Sequence, residues 1–122
     1  MQWLFHILPR ADWNAFRAAN ASAYAPPSLA TEGFLHTSYR DKVAESARLY
    51  FAPDADLLIL RIDPRKLDVP VDIAKTRRGP MPHIRGPIPG AAVCAVVTLA
   101  DLPGEPDVLD PSEPPSSDSA PT

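Results

Sequence analysis

The sequence predicts an α+β domain over residues 1–102, followed by a disordered polar tail over residues 103–122. Two segments with helical spacing of apolar residues occur early in the chain, and short strand-like apolar runs dominate the second half. The tail holds six of the 16 prolines and five acidic residues, with no basic or aromatic residue. Such a composition buries too little apolar surface to offset the entropy cost of ordering the chain.

The start of the chain is predicted to form a strand and then a helix. Residues 3–8 are an apolar run interrupted only by His6, which indicates an inner strand. Residues 11–20 carry apolar side chains at three-residue steps, so Trp13 and Phe16 share one helical face.

The next segment is predicted to be a loop, a short strand and a second helix. Residues 21–33 contain two adjacent prolines, which lack backbone donors. A loop of this length either lines a cleft or simply connects its neighbours. Residues 34–36 are expected to form a strand. Thr37 or Ser38 is then expected to cap a helix that runs from residue 39 to about residue 51.

The second half of the chain is predicted to be rich in strands. Residues 57–63 begin with four consecutive aliphatic residues, which indicates a strand buried on both faces. Residues 69–73 alternate apolar and polar side chains around a proline, as in an edge strand. Residues 76–80 are predicted to be a basic loop. Further strands over residues 83–84 and 91–99 bring the total to about six.

Composition and charge narrow the class of protein. The whole chain has a formal net charge of −3, but all 12 basic residues and only ten of the 15 acidic residues precede the tail, so residues 1–102 carry +2. Overall charge therefore does not indicate nucleic-acid binding.

With no signal-peptide pattern and no run of ~20 apolar residues, a cytoplasmic protein without a membrane partner is expected. Cys94 lies in an apolar run and is predicted to be a buried, unreactive thiol.

The candidate site is built around the three histidines of the protein. His6, His36 and His83 each lie in a predicted strand with apolar neighbours. If the fold brings them together, their imidazoles can donate, accept or change charge near neutral pH. No metal is expected, because there is no HxH, HxxxH or CxxC pair and the histidines are 30 and 47 residues apart. The alternative is that each histidine is a hydrogen-bonded structural residue.

A nucleotide or another phosphorylated small molecule is the expected partner of this site. The hydroxyl of Ser38 and the exposed amides of the following helix can bind an anion. Arginine suits bidentate phosphate contacts, and the candidates are Arg40, Arg77, Arg78 and Arg85. Arg77 and Arg78 would also be ordinary in a solvated loop. Glu32, just before the central motif, is the candidate acid.

Several short motifs, taken in their order along the chain, resemble those of the bacterial family called domain of unknown function 952. The resemblance covers roughly residues 2–100, and the Glu-Gly-Phe-x-His-x-Ser and Pro-His-Ile-x-Gly-Pro patterns are its most specific parts. The matching segments are Phe5-His6-Ile7, Pro26-Pro27-Ser28-Leu29, Glu32-Gly33-Phe34-Leu35-His36-Thr37-Ser38, Leu60-Arg61-Ile62-Asp63 and Pro82-His83-Ile84-Arg85-Gly86-Pro87-Ile88.

This motif arrangement is in turn similar to the ADP-ribosyltransferase-like superfamily, which includes the RNA 2′-phosphotransferases. The similarity implies a split, mostly antiparallel sheet with NAD bound in a cleft, which makes NAD the candidate cofactor. The residues that it implies are His6, Thr37, His83 and Arg85 for cofactor binding and Glu32, His36 and Ser38 for catalysis.

The resemblance leaves enzymatic activity open. Many transferases of this superfamily use a late-strand glutamate to polarise the ribose, whereas this chain has no glutamate between Glu45 and Glu105. Either Asp72 or Glu32 would have to substitute, or the mechanism must resemble that of the glutamate-free members of the superfamily. Three interpretations therefore remain: an ADP-ribosyltransferase-like enzyme, a non-catalytic module for a nucleotide or phosphorylated metabolite, and a small interaction domain with structural histidines.

Overall fold

The computed structural model describes residues 2–102, and the predicted disordered tail lies outside the described residues. The strands are β1 (Leu4–Pro9), β2 (Ala23–Tyr24), β3 (Leu35–His36), β4 (Leu57–Ile62), β5 (Val71–Thr76), β6 (Gly79–Ile84), β7 (Ile88–Pro89) and β8 (Val93–Val97). The α-helices are α1 (Arg10–Ala19), α2 (Pro27–Glu32) and α3 (Val43–Tyr50). Short 3₁₀ turns cover Arg40–Lys42, Pro64–Lys66 and Gly90–Ala92.

The strands form antiparallel sheets, which confirms the α+β class with antiparallel pairing. One sheet has the order β1-β4-β8, a second has the order β3-β6-β5, and β2 pairs with β7. The described part of the chain thus has eight strands where about six were predicted. No helix within residues 2–102 is both long and apolar enough to cross a membrane.

Strand β4 is buried on both faces, as its aliphatic sequence predicts. Leu58, Leu60 and Ile62 belong to the larger hydrophobic cluster, which also contains Trp13 of α1. Ile59 points to the other face, because side chains alternate along a strand, and there it joins a smaller cluster. Burying each such side chain contributes roughly 1.5–3 kcal/mol, so β4 is the structural centre of the domain.

The two larger sheets meet where the chain leaves β3. His36 pairs with His83 of β6, and the Thr37 amide still donates to the Pro82 carbonyl of β6 at 3.2 Å. One residue later the partner changes: Ser38 exchanges two backbone hydrogen bonds with Phe5 of β1, at 2.8 and 2.9 Å. The segment from His36 to Ser38 therefore bridges β6 and β1, and the sheets separate on either side of it.

The predicted loop and helix around this segment need correction. Residues 21–33 are not one loop, since they contain β2 and α2. The helix predicted from residue 39 corresponds to α3. It begins as a 3₁₀ turn and becomes α-helical only at Val43, without a side-chain cap. Neither Thr37 nor Ser38 caps it, because the Thr37 hydroxyl donates to the Pro82 carbonyl at 2.7 Å and Ser38 bonds to Ser46. The predicted side-chain cap at this helix start is therefore not formed, whereas anion binding by its first amides stays a prediction.

The predicted basic loop is instead a tight hairpin turn. Strand β5 continues to Thr76, and β6 begins at Gly79, which has a left-handed φ of 99°. The Thr76 hydroxyl donates to the Gly79 carbonyl at 2.8 Å and accepts from the Arg78 amide at 3.1 Å. Arg77 and Arg78 are the two turn residues of this hairpin. Gly79 follows them because glycine adopts the required positive φ without steric cost. The final strand is also shorter than predicted, since a 3₁₀ turn precedes Val93.

Candidate functional site

A cavity of about 670 Å³ opens beside the bridging segment, between β1, β6 and α3. His6, His36 and His83 all line it, although they come from three different strands. Thr37 and Ser38 line it as well. The fold therefore brings together five of the seven residues predicted for the site.

His6 is neutral, with one ring nitrogen that donates a hydrogen bond and one that is left as an acceptor. Its ring is 7% exposed, and Nδ1 lies 2.7 Å from the His36 carbonyl oxygen. Since a carbonyl can only accept, Nδ1 carries the proton and Nε2 of the neutral ring is left as an acceptor. Burial lowers the pKa of His6 to about 4, against the weaker opposing effect of this hydrogen bond. The ring also contacts Tyr24, with centroids 5.6 Å apart.

His36 and His83 form an aromatic group with Phe34 at the other side of the cavity. The His83 ring stacks on Phe34 at 4.0 Å with an interplanar angle of 12°, and His36 meets His83 edge-on at 5.4 Å. Partial burial lowers the pKa of His83, and the nearby His36 and Arg85 lower it further. His36 Nε2 lies 3.1 Å from a carboxylate oxygen of Glu32, the last residue of α2. The more exposed His36 is thus the histidine with an acidic partner.

A second polar group lies at the α3 end of the cavity. The buried hydroxyls of Ser38 and Ser46 are 3.0 Å apart. Arg78 donates from Nη2 to Ser46 at 2.7 Å and from Nε to Glu45 at 2.5 Å. The hydrogen bond to Glu45 is the main reason that the pKa of this carboxyl is lowered. Because arginine can only donate, Ser46 keeps its own proton free to share with Ser38.

The chain resembles known proteins in family and in fold. The family model described as "Protein of unknown function (DUF952)" matches residues 7–96. The chain belongs to this family. The match confirms the predicted family and contains His36 and His83, whereas His6 lies one residue before its start. No curated protein matches the chain.

Solved structures of protein CC0527 from Caulobacter crescentus share the fold of this DUF952 chain. The crystal structure of CC0527 is 25% identical, with a TM-score of 0.67, and the match covers 78% of this chain and 83% of that one. The solution NMR structure of CC0527 is 26% identical, with a TM-score of 0.61, covering 80% and 84%. These likenesses support the α+β fold with antiparallel sheets.

In this DUF952 chain, two predicted site residues do not line the cavity. Glu32 reaches it only through its hydrogen bond to His36. Arg85 Nε forms an ion pair with Asp72 at 2.8 Å, on the strand that neighbours β6. Within residues 2–102, no group of three or more His, Cys, Asp or Glu side chains is arranged to hold a metal. Cys94 is half-buried on β8 and donates to the Arg61 carbonyl, away from the cavity.

The cavity also contains residues that sequence reasoning assigned to no site. Tyr24 lines it and is 7% exposed, and Asp12 of α1 lines it nearby. Burial, together with the smaller effect of the Asp12 charge, raises the pKa of Tyr24 to about 12. Ser46 was placed on a helix without a role. The one available signal was the pair of prolines at the start of α2, because Pro26 and Pro27 both line the cavity.

Proposed function

We propose that this cavity binds a nucleotide, with NAD as the first candidate, and that the protein supports ADP-ribosyltransferase-like chemistry. The observation that carries the proposal is the convergence of three histidines and a serine pair on one cavity, at the point where two antiparallel sheets separate. The motif resemblance to the ADP-ribosyltransferase-like superfamily implies a cleft in the same kind of split sheet.

The size and lining of the cavity suit such a ligand. Its volume of about 670 Å³ falls within the ~300–1,000 Å³ typical of small-molecule and cofactor sites. Aromatic and proline side chains, including Tyr24, Pro26 and Phe51, line it and would contact a base. Arg77 and Arg78 line it too, and guanidinium groups are well matched to phosphate oxygens.

Some polar residues of the cavity would bind the ligand, and others would take part in the chemistry. Nε2 of neutral His6 would accept a hydrogen bond from a ribose hydroxyl, and the Ser38 hydroxyl would hold a second oxygen. His83, backed by Phe34, would present its free ring face to a planar group. NAD, when bound, supplies a glycosidic bond whose cleavage develops positive charge on the ribose.

The Glu32–His36 pair would stabilise the positive charge that develops on the ribose. Glu32 lies outside the cavity lining, but its hydrogen bond keeps His36 oriented and increases the electron density of the ring. His36 is therefore the residue expected at the reacting end, with Glu32 as its positioning acid.

The test is a titration of NAD into the full chain, followed by NMR of the imidazole signals. At about millimolar NAD, where a Kd of ~1 mM or tighter is detectable, the signals of His6, His36 and His83 should shift together. Release of free nicotinamide should be lost in His36→Ala, with the fold checked by circular dichroism. Arg17→Ala, an exposed site on α1 outside the cavity, is the matched control and should keep both signals.

A second candidate, a non-catalytic module for a nucleotide or phosphorylated metabolite, is favoured by one observation. The cavity lining contains no glutamate within residues 2–102, and its acidic residue is Asp12, which lies beside Tyr24 rather than His36. Shifted histidine signals without nicotinamide release would select this module. Absence of any shift with NAD, ATP or ribose phosphate would reject both candidates.

A further inference from the structure

We infer that the α3 end of the cavity carries a binding surface for single-stranded nucleic acid, formed by Lys42, Arg48, Tyr50, Arg77 and Arg78. We call it the basic–aromatic platform. The inference extends the proposed function from a small ligand to a polymer, but the binding itself does not require NAD.

The first step is the clustering of positive charge. Lys42, Arg48 and Arg78 all lie close enough to Glu45 to lower the pKa of that carboxyl. The Lys42 side chain also lies over the β5–β6 turn, since a Cβ on Gly79 would be 3.9 Å from its Cε. Glu45, and Asp41 next to Lys42, offset only two of the four charges of Lys42, Arg48, Arg77 and Arg78, so this end of the molecule is locally positive although residues 1–102 carry just +2.

The second step concerns which of these cations can still bind a ligand. Arg78 is occupied by Glu45 and Ser46, which fixes its position. Arg77 next to it is exposed at the tip of the turn, lines the cavity, and makes no hydrogen bond or ion pair within residues 2–102. A free guanidinium held on a tight hairpin is well placed to contact a phosphate.

The third step is an exposed aromatic ring among the cations. Tyr50 is 69% exposed at the end of α3 and lines the mouth of the cavity. The guanidinium of Arg78 lies 5.6 Å from its ring centroid and donates to its hydroxyl at 3.4 Å. An exposed ring flanked by cations matches the way proteins bind single strands, with bases stacking on rings and phosphates contacting the cations.

The surface favours a single strand over other polyanions. The bases of a duplex are stacked inside it and offer no free face to Tyr50. A bilayer is flat, whereas Arg77, Arg78 and Tyr50 line a concave cavity, which the end of a flexible strand can enter.

The test is fluorescence anisotropy of a labelled oligouridylate of about ten nucleotides, a length within the ~4–16 nucleotides of typical single-strand sites. The full chain should bind it without NAD. Contacts from Lys42, Arg48 and Arg77 predict a slope of about −2 in log K against log salt. Tyr50→Ala should weaken binding roughly 5- to 100-fold, and Tyr50→Phe should restore it because the ring is retained.

The control variants distinguish binding at this platform from general attraction of a polyanion to any surface cation. Arg77→Ala should weaken binding several-fold, whereas Arg17→Ala removes the same charge from α1 and should leave the Kd unchanged. Equal weakening by both variants would overturn the inference, as would binding to phosphatidylserine vesicles or to pyrophosphate without binding to the oligonucleotide. Because NAD is absent, failure here leaves the NAD titration unaffected, and failure of that titration leaves this result standing.

Discussion

The buried neutral state of His6 makes a quantitative prediction about stability and pH. In the folded protein the pKa of His6 is lowered from 6.5 to about 4. Between these values the unfolded chain binds a proton that the folded chain does not, so the free energy of unfolding falls as the pH falls. Linkage gives a loss of about 2 kcal/mol between about pH 7.5 and about pH 5, rising to about 3 kcal/mol below pH 4.

The assay is urea denaturation at several pH values, with His6→Asn as the non-titrating variant. The range above about pH 5 is chosen because carboxylates with ordinary pKa values of ~4 stay ionised there. His83 has a lowered pKa as well and contributes in the same direction, so His83→Asn serves as the matched variant. The wild type should lose about 2 kcal/mol more than His6→Asn over this range.

Two results would contradict a buried, neutral His6. One is a wild-type stability that changes no more with pH than that of His6→Asn. The other comes from the unmodified protein: ¹⁵N NMR of the ring should show a proton on Nδ1 down to about pH 5, as the 2.7 Å contact with the His36 carbonyl requires. Protonation of both ring nitrogens near pH 6.5 would exclude the buried neutral state.

The remaining predictions concern packing near the cavity. Gly86→Ala should destabilise the fold by about 1–3 kcal/mol, because the new Cβ would lie 2.6 Å from Val69 Cγ1. Urea denaturation should show this loss, and the loss caused by Gly86→Ala should be smaller in a Val69→Ala background, because Val69 also packs against the core and its truncation has a cost of its own. An equal loss from Gly86→Ala in both backgrounds would contradict a steric clash as the cause. Arg78→Lys should cost about 1–2 kcal/mol by weakening the hydrogen bond to buried Ser46. Arg77→Lys should change the unfolding free energy by less than about 0.5 kcal/mol, and equal losses in both would show that Arg78 has no special structural role.

The elements predicted correctly are those whose sequence pattern dominates their environment. The aliphatic run of β4 is buried on both faces wherever it sits in a core, and the apolar face of α1 follows from its spacing. Strand β6 was largely missed because Pro80 and Pro82 argue against a central strand. The structure accommodates Pro82 by using its carbonyl, which accepts from both the amide and the hydroxyl of Thr37.

The candidate site was predicted by residue type but not by geometry. An isolated histidine among apolar residues marks either a site or a structural hydrogen bond, and His6 makes such a hydrogen bond on the cavity wall. Ser46 and Asp12 carried no signal, because a serine or an aspartate on a helix is ordinary. Their positions on the cavity depend on how α3 and α1 pack against β1.

The order of the amino acids was enough to predict the class of fold, the family and the three histidines as candidates, because local patterns and motifs are properties of neighbouring residues. The folded chain was needed to show that His36 pairs directly with His83, that the chain then changes partner to β1, and that the His36 carbonyl fixes the tautomer of His6. These are contacts between strands far apart in the chain, and their register is set by the packing of whole sheets.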